Sequence, residues 1–345
     1  MCTEKDYSGT VTGKIGKNAK TSSSANKENL IVTKKSDKKE KLESSGNIDF
    51  ESYKKAGHIA KQVKEYAKTI IKNDVLLSEI AEKIEAKILD LGGEVAFPAN
   101  LGIDDVAAHF TPTLRDEIKA TGLLKVDFGV HVNGFIADIA FSLDLTPEKK
   151  YTKLIEASEL ALKAALTEVK SKKEKTSLSQ IGKTIQKTIE YHGFIPIANL
   201  SGHGLDEYDI HSGITIPNYD NGSDKELGEG AFAIEPFATL KTGNGMVYDG
   251  NGGNIYHLTG KGQVRDNFAR EVLEFILETK VTLPFSQREM ERKFGTKAIF
   301  AMAYLKRAGA IEEFPQLIEK SHQPISQAET SFIIHNNIVE ILVED

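Results

Sequence analysis

Two aspartates in this sequence lie within segments that have the pattern of buried strands. Asp127 and Asp138 flank Val132-Asn133-Gly134-Phe135, in which Asn-Gly separates two alternating apolar runs. This pattern predicts a hairpin closed by a two-residue type I′ turn. Counting from the turn pairs Gly129 with Asp138 and Asp127 with Ala140. Both aspartates therefore lie on one face of the hairpin, as diagonal neighbours about 7–8 Å apart.

The surroundings of these aspartates favour a metal site over a solvated surface. Two acids on one strand face are simply solvated in most hairpins. Here Val126, Phe128 and Ile139 indicate a buried strand, in which unpaired carboxylates are costly. One or two divalent cations would fit between them, and Gly129 leaves room because it has no side chain.

Further candidate ligands occur later in the chain. His203 lies between two glycines, which offer no side chains for it to pack against and leave its imidazole accessible. Metal ligation or catalysis is therefore favoured over a role in the core. Glu235 and Glu329 each interrupt an apolar run with the composition of a strand. A lone acid in a buried strand needs a partner, and several such acids in one protein indicate a common partner.

Composition narrows the class of protein and the kind of metal. The chain has 345 residues, of which 40% are hydrophobic and 27% charged, as in ordinary globular proteins. No apolar run approaches the ~20 residues that span a bilayer, and the N-terminus lacks a signal peptide, so we expect a cytoplasmic protein. The single cysteine, Cys2, excludes an internal disulfide. Asp, Glu and His are the remaining ligands, which favour Mn, Co, Fe or Zn.

The beginning of the chain differs in charge from the rest. Residues 1–46 contain ten lysines and six acids, whereas the whole chain has a net charge of −6. These residues are too polar to repay the entropy of ordering, so we predict a disordered basic tail over residues 1–47. The tail could attach weakly to RNA or the ribosome surface, or could be a solubilising extension only.

The rest of the chain contains a repeated pattern. Two helices, a glycine stop and an extended segment with Ala-Asn-Leu occur twice, the tripeptide recurring at residues 99–101 and 198–200. We interpret this as a structural duplication of two halves around a shared sheet, with a site where they meet. The predicted helices and extended segments are 48–71, 75–91 and 95–103 in the first half, and 148–170, 177–191 and 195–200 in the second.

A helical module follows the second half. Residues 265–279, a helix capped by Ser286, and residues 296–308 predict three short helices. Their basic residues could suggest a nucleic-acid-binding winged helix. The acidic residues among them favour an ordinary covering subdomain instead.

Taken together, these motifs resemble a known peptidase family. Asp127-Phe128-Gly129, Asp138, Gly202-His203, Ile234-Glu235-Pro236-Phe237 and Gln327-Ala328-Glu329 are similar to those of the methionine aminopeptidases of the second type. The resemblance covers residues 48–345. It implies an α/β (α+β) pita-bread catalytic domain with pseudo-two-fold halves and a helical, winged-helix-like insertion at about 266–320.

The resemblance also implies the metal ligands. Asp127 would bind one ion only, Asp138 and Glu329 would bridge both ions, and His203 and Glu235 would complete the second site. The cofactors would be two divalent ions, Co, Mn, Fe or Zn. Four carboxylates balance the charge of two such ions, so the site is neutral only when both are bound.

The implied reaction is removal of N-terminal methionine before a small second residue. A metal-bridged hydroxide would attack the first peptide bond, with Glu235 carrying the proton, His211 contacting the carbonyl oxygen and His109 the scissile amide nitrogen. The implied methionine pocket is lined by Phe97, Pro98, Ile210, Phe237 and Ala298. Tyr256 and His257 remain outside this set.

The implied partners are the N-termini of nascent polypeptides, bound by a monomer that contacts no membrane. Ribosomal RNA is a further expected contact of the basic tail. A creatinase-like prolidase or Xaa-Pro aminopeptidase, which shares the metal ligands, is the alternative enzyme. A nucleic-acid-binding scaffold that has lost its activity is the non-enzymatic alternative, disfavoured because every ligand type is present.

Overall fold

The computed structural model describes residues 49–344, so the tail predicted over residues 1–47 lies outside the described residues. Within residues 49–344, no helix has both the length and the apolarity needed to cross a membrane. The α-helices are α1 (Phe50–Ile70), α2 (Leu77–Asp90), α3 (Thr152–Lys172), α4 (Leu178–Tyr191), α5 (Asn267–Thr279), α6 (Gln287–Phe294) and α7 (Lys297–Arg307), with a 3-10 turn at Lys173–Lys175.

Strands occupy about half of the remaining described chain and form three sheets. They are β1 (Glu94–Ile103), β2 (Val106–Ala108), β3 (Leu123–Val132), β4 (Phe135–Asp144), β5 (Ile195–Pro196), β6 (Ser201–Asp206), β7 (Asp209–Pro217), β8 (Gly230–Ile234), β9 (Phe237–Thr239), β10 (Val247–Leu258), β11 (Phe285–Ser286), β12 (Ile311–Glu319), β13 (Ile325–Gln327), β14 (Glu329–His335) and β15 (Ile338–Ile341).

The largest sheet carries the hairpin predicted from the sequence. Its strand order is β1-β3-β4-β14-β8-β6-β7, with β15 paired to β14. Asn133 and Gly134 have φ of 53° and 89°, as a type I′ turn requires. Val132 pairs with Phe135, and the pairing continues without a shift to Gly129–Asp138 and Asp127–Ala140. The predicted register is confirmed.

Two hydrophobic cores pack against this sheet, one for each half. Helices α1 and α2 contribute to a core with β1, β3 and β4, including Ile80, Ile84 and Phe128. Helices α3 and α4 contribute to a second core that includes Ile181, Ile185 and Phe332. This arrangement fits the duplicated halves expected from the sequence.

The second Ala-Asn-Leu segment is not the strand that the sequence predicted over residues 195–200. Only Ile195–Pro196 is extended as a strand. Asn199 replaces further ladder bonds with its side chain, because its Nδ2 donates to the Val247 carbonyl and its Oδ1 accepts from the Val247 amide, both at 2.8 Å. The corresponding Asn100 lies inside β1.

The helical module consists of α5, α6 and α7, and β12 follows it. Asp266 and Ser286 accept backbone N–H groups at the starts of α5 and α6, as N-caps do. Strand β12 pairs with β10 and β2 in a second sheet, so the last residues of the range 266–320 are extended. That this segment is an insertion stays a prediction.

Asp144 at the end of β4 fixes the entry to α3. Its Oδ1 accepts from the Thr146 amide at 2.9 Å, and its Oδ2 accepts from the Tyr151 amide at 2.6 Å. Burial opposes ionisation of this carboxyl, but the hydrogen bonds from Thr146 and Tyr151 outweigh it and lower the pKa.

We expect Asp144→Asn to lower the free energy of unfolding by about 1–3 kcal/mol at pH 7, because an amide N–H₂ would face a backbone donor. The folded-state pKa lies below the unfolded value of 3.8, so this stabilisation is present above pH 3.8 and is lost as the pH falls through the folded pKa. Urea titrations of both proteins from pH 7 to pH 3 would measure this. A difference that stays constant down to pH 3 would contradict it.

Candidate metal centre

Five adjacent strands of the large sheet each bring one predicted ligand to the same place. Asp127 lies on β3, Asp138 on β4 and Glu329 at the start of β14, while Glu235 directly follows β8 and His203 lies on β6. The order β3-β4-β14-β8-β6 makes these strands consecutive neighbours. The sheet therefore gathers residues that are some two hundred positions apart in sequence.

The His203 imidazole lies within about 4 Å of three of the acids. Its Nε2 is 3.7 Å from Asp138 Oδ2, 3.9 Å from Glu329 Oε1 and 4.0 Å from Glu235 Oε1. Ligand atoms of Asp138, His203 and Glu329 all lie within 4.8 Å of one another. Asp127 belongs to the same cluster, since its charge contributes to raising the pKa of Asp138, Glu235 and Glu329.

Several carboxylate oxygens in this cluster are buried without a hydrogen-bond donor. They are Asp127 Oδ1, Asp138 Oδ1 and Glu329 Oε1. A buried polar atom without a partner is costly, and carboxylate oxygens and imidazole nitrogens are the donors that borderline divalent ions prefer. The residues present therefore fit a divalent metal.

The acids repel one another in the absence of a counter-charge. Burial raises the pKa of Asp127 to about 7. Burial, together with the charges of the neighbouring carboxylates, raises the pKa of Asp138, Glu235 and Glu329 well above the usual range. A divalent ion would reverse this tendency, because it favours the ionised form of each carboxyl.

The tautomer of His203 suits a ligand. Its Nδ1 lies 3.3 Å from the Gly204 carbonyl oxygen and its Nε2 faces the acids, so protonation at Nδ1 would leave the Nε2 lone pair for a metal. Burial, with a smaller contribution from His211, lowers the pKa of His203 to about 3. The imidazole is therefore neutral near pH 7.

Gln327 donates hydrogen bonds to acids of the cluster, although the sequence analysis assigned it no role. Its Nε2 makes long hydrogen bonds to Glu235 Oε2 at 3.4 Å and to Glu329 Oε2 at 3.5 Å. A hydrogen bond from Gln327 also lowers the pKa of Asp127, in opposition to burial. The signal available in the sequence was the spacing Gln327-Ala328-Glu329, which puts both side chains on one face of an extended segment.

Two serine side chains hold the strands that carry the ligands. Ser331 Oγ accepts from the Asp138 amide at 2.6 Å and donates to the Asp138 carbonyl at 2.7 Å. Ser142 Oγ does the same for the amide and carbonyl of Gln327, both at 2.8 Å. Direct pairing of β4 with β14 is limited to two residue pairs, so these hydroxyls replace ladder bonds on either side of it.

The apolar run around Glu235, which has the composition of a strand, is not one continuous strand in the structure. Strand β8 ends at Ile234 and β9 begins at Phe237. Pro236 lacks the N–H that a continuous ladder needs. Asn218 Nδ2 donates to the Glu235 carbonyl at 3.1 Å, which satisfies the backbone at the break.

Of the predicted catalytic histidines, His211 lies beside the cluster, and His109 lies near enough to His211 for their charges to interact. The ring centroids of His211 and His203 lie 4.6 Å apart in an edge-to-face arrangement. His211 keeps part of its surface exposed, and desolvation by the surrounding protein lowers the pKa of its imidazole. Burial, then the charge of His211, lowers the pKa of His109 to about 4. His109 packs against Phe314, a contact that nothing in the sequence indicated.

The predicted pocket residues are distributed over two hydrophobic clusters and the helical module. Phe97 is buried and Ile210 half-buried in the core of the first half, and Phe237 is buried in a smaller cluster with Ile197 and Val247. Pro98 is buried in β1, and Ala298 is buried in the first turn of α7. That these residues form one methionine pocket stays a prediction.

Gly129 lies directly against the ring of Phe97. A Cβ at this position would lie 2.4 Å from Cε1 of Phe97, which pairs with Gly129 across β1 and β3. A side chain at position 129 would therefore collide with the Phe97 ring, and that the glycine also leaves room for ions stays a prediction.

Comparison with known proteins gives relatives that span the described residues. The family model of "Metallopeptidase family M24" matches residues 51–266. The chain is 41% identical over 300 residues to a methionine aminopeptidase of Methanocaldococcus jannaschii, covering 85% of this chain and 99% of that protein. It is 38% identical over 302 residues to a methionine aminopeptidase of Pyrococcus horikoshii, covering 86% and 100%.

Solved structures share the fold. A thermophilic Arx1 superposes with a TM-score of 0.69 at 15% identity, over 86% of this chain and 92% of that chain. A methionine aminopeptidase of Rickettsia prowazekii superposes with a TM-score of 0.58 at 17% identity, over 85% and 95%. The architecture is the pita-bread fold that the sequence implied.

If these acids bind metal, the metal must stabilise the folded protein. We expect Mn²⁺ added to chelator-treated protein to raise the melting temperature, since a ligand at 100 times its Kd stabilises by about 2.7 kcal/mol. Asp138→Asn should lose most of this increase. Asp144→Asn is the matched control, because Asp144 is an acid on the same strand outside the cluster. This variant should keep the metal-induced rise in melting temperature. An equal metal-induced increase in native protein and Asp138→Asn would contradict the assignment.

Proposed function

This chain belongs to metallopeptidase family M24, as a methionine aminopeptidase of the archaeal type, and we propose that it removes the N-terminal methionine from polypeptides by metal-dependent hydrolysis. The observation that carries this proposal is the convergence of four carboxylates and one neutral imidazole on five adjacent strands. The identity to named methionine aminopeptidases favours this activity over that of a prolidase.

We propose that Asp127, Asp138, His203, Glu235 and Glu329 hold the metal. Four carboxylates match the charge of two divalent ions, which supports a dinuclear site holding Co, Mn, Fe or Zn. When bound, such ions lower the pKa of water and so supply the nucleophile near neutral pH. The buried oxygens without donors support this assignment.

The remaining roles belong to side chains around the cluster. A carboxylate oxygen of Glu235 would accept the proton released by water. Glu235 would then pass this proton to the leaving amine. His211, beside His203, would stabilise the carbonyl oxygen as charge develops on it. Neutral His109 would contact the scissile amide nitrogen, and the low pKa that burial gives it supports a neutral donor or acceptor there.

Selectivity would come from the apolar residues beside the cluster. We propose that Phe97, Pro98, Ile210, Phe237 and Ala298 accept an unbranched thioether side chain, for which a narrow apolar pocket is suitable. The physiological partners would then be nascent polypeptide N-termini. The cytoplasmic location, the monomeric state and contact of the tail with ribosomal RNA stay predictions.

A peptide panel tests the activity. We expect chelator-treated protein reloaded with Mn, Co, Fe or Zn to release free methionine from Met-Ala-Ser and to leave N-acetyl-Met-Ala-Ser and Xaa-Pro peptides intact. Mass spectrometry of the products would measure this. Cleavage of Xaa-Pro peptides in preference to Met-Ala-Ser would support the prolidase alternative, and cleavage of neither with any ion would contradict the proposal.

His211 separates catalysis from metal binding. Because His211 would act on the oxyanion without holding the metal, we expect His211→Ala to lower kcat by about 100- to 1000-fold. The metal-induced rise in melting temperature should remain as in native protein. Loss of that rise in His211→Ala would show that His211 is a ligand or supports one, which would contradict a role confined to the oxyanion.

A further inference from the structure

A guanidinium group is completely buried where the helical module meets the first half. Arg288 on α6 has no exposed side-chain surface, although its charge is costly to remove from water. Its Nη2 contacts Glu85 Oε1 on α2, and its Nη1 donates to the Pro112 carbonyl and, at 3.0 Å, to Thr111 Oγ1. Arg288 thus joins the module to the segment just after His109.

The segment after His109 is held from several directions. The Thr111 amide donates to the Gly253 carbonyl on β10 at 3.0 Å, and Thr111 Oγ1 donates to the Ala99 carbonyl on β1 at 2.8 Å. Asn254 Nδ2 donates to the Thr111 carbonyl at 3.0 Å. Arg288 adds the hydrogen bonds that reach Thr111 and Pro112 from the helical module.

His109 has a backbone conformation that needs such support. Its φ is +63°, in the left-handed region that residues other than glycine rarely adopt. Gly253 packs so closely that a Cβ there would lie 1.6 Å from the His109 carbonyl oxygen. A strained residue of this kind persists only when its surroundings determine its position.

The contacts of Arg288 require a fork of donors. The guanidinium reaches a carboxylate, a hydroxyl and a carbonyl at once, which a lysine ammonium on a flexible chain does not reproduce. Glu85 is itself tied to the same region, since its Oε1 accepts from the Ala99 amide at 3.2 Å. The network therefore spans α6, α2, β1 and the residues that follow His109.

We infer that Arg288 is a positioning residue for His109, by which the helical module sets the place of that imidazole beside the cluster. The inference rests on the proposed function, in which His109 contacts the scissile amide. Arg288 would touch neither substrate nor metal. It would act by fixing Thr111 and Pro112, and through them the left-handed turn at His109.

The test is a double-mutant cycle between Arg288→Lys and His109→Ala on full-length, metal-loaded protein. We expect Arg288→Lys to lower kcat for Met-Ala-Ser by about 10- to 100-fold with KM changed less than about threefold, as small misplacements of catalytic groups do. In the His109→Ala background, Arg288→Lys should lower kcat no further, because its effect passes through His109.

Arg292→Lys is the matched control. Arg292 lies on the same helix and forms ion pairs with Glu82 and Glu85 on α2, but its side chain is 40% exposed. We expect its kcat to stay within about twofold of native, since a half-exposed ion pair contributes little. The metal-induced rise in melting temperature should be the same in native protein, Arg288→Lys and Arg292→Lys.

The inference would be overturned if Arg288→Lys lowered kcat by the same factor in the native and His109→Ala backgrounds. An unchanged kcat in Arg288→Lys would overturn it as well. Thr111→Val removes the hydroxyl at the middle of the network and serves if Arg288→Lys does not fold. Thr111→Val is expected to lower kcat in the same His109-dependent way.

The test separates the inference from the proposed function. If native protein releases methionine but His109→Ala is fully active, the inference fails while the proposed function stands. If native protein releases no methionine, the proposed function itself fails.

Discussion

The structure depends on one electrostatic constraint, which is the burial of four carboxyl groups around a neutral imidazole. Burial and mutual repulsion raise the pKa of Asp138, Glu235 and Glu329, and several of the oxygens have no hydrogen-bond donor. Such a cluster is unfavourable for the protein alone, and a divalent counter-ion removes both costs at once. We therefore expect metal binding and the folded arrangement of the strands to be coupled.

Ordinary structural devices hold this unfavourable arrangement in place. Antiparallel strands bring one predicted ligand each, and serine hydroxyls form hydrogen bonds across β4 and β14 where direct pairing of these strands stops. Strand β8 ends just before Glu235 and Pro236, and the Gly204 carbonyl oxygen lies 3.3 Å from His203 Nδ1, where it would accept a hydrogen bond. The proposed chemistry thus rests on backbone geometry, since the predicted ligands lie on or next to strands of one sheet.

The sequence was informative where the determining contacts are local. Asn133-Gly134 set the hairpin register, and Ser286 marked a helix start, because turn and cap chemistry act over a few residues. The strand prediction for the second Ala-Asn-Leu segment was wrong, since the bonds of Asn199 to Val247 join positions 48 apart. The contact of Arg288 with Thr111 spans 177 positions, and no periodicity or spacing indicates it.

The most direct measurement is anomalous diffraction from crystals soaked in Mn²⁺, with data collected on both sides of the manganese absorption edge. The predicted result is anomalous density enclosed by the carboxylates of Asp127, Asp138 and Glu329 and the Nε2 of His203, with two maxima if the site is dinuclear. Anomalous density at another place in the protein, with no peak beside these side chains at saturating Mn²⁺, would contradict the assignment of this cluster as the metal centre.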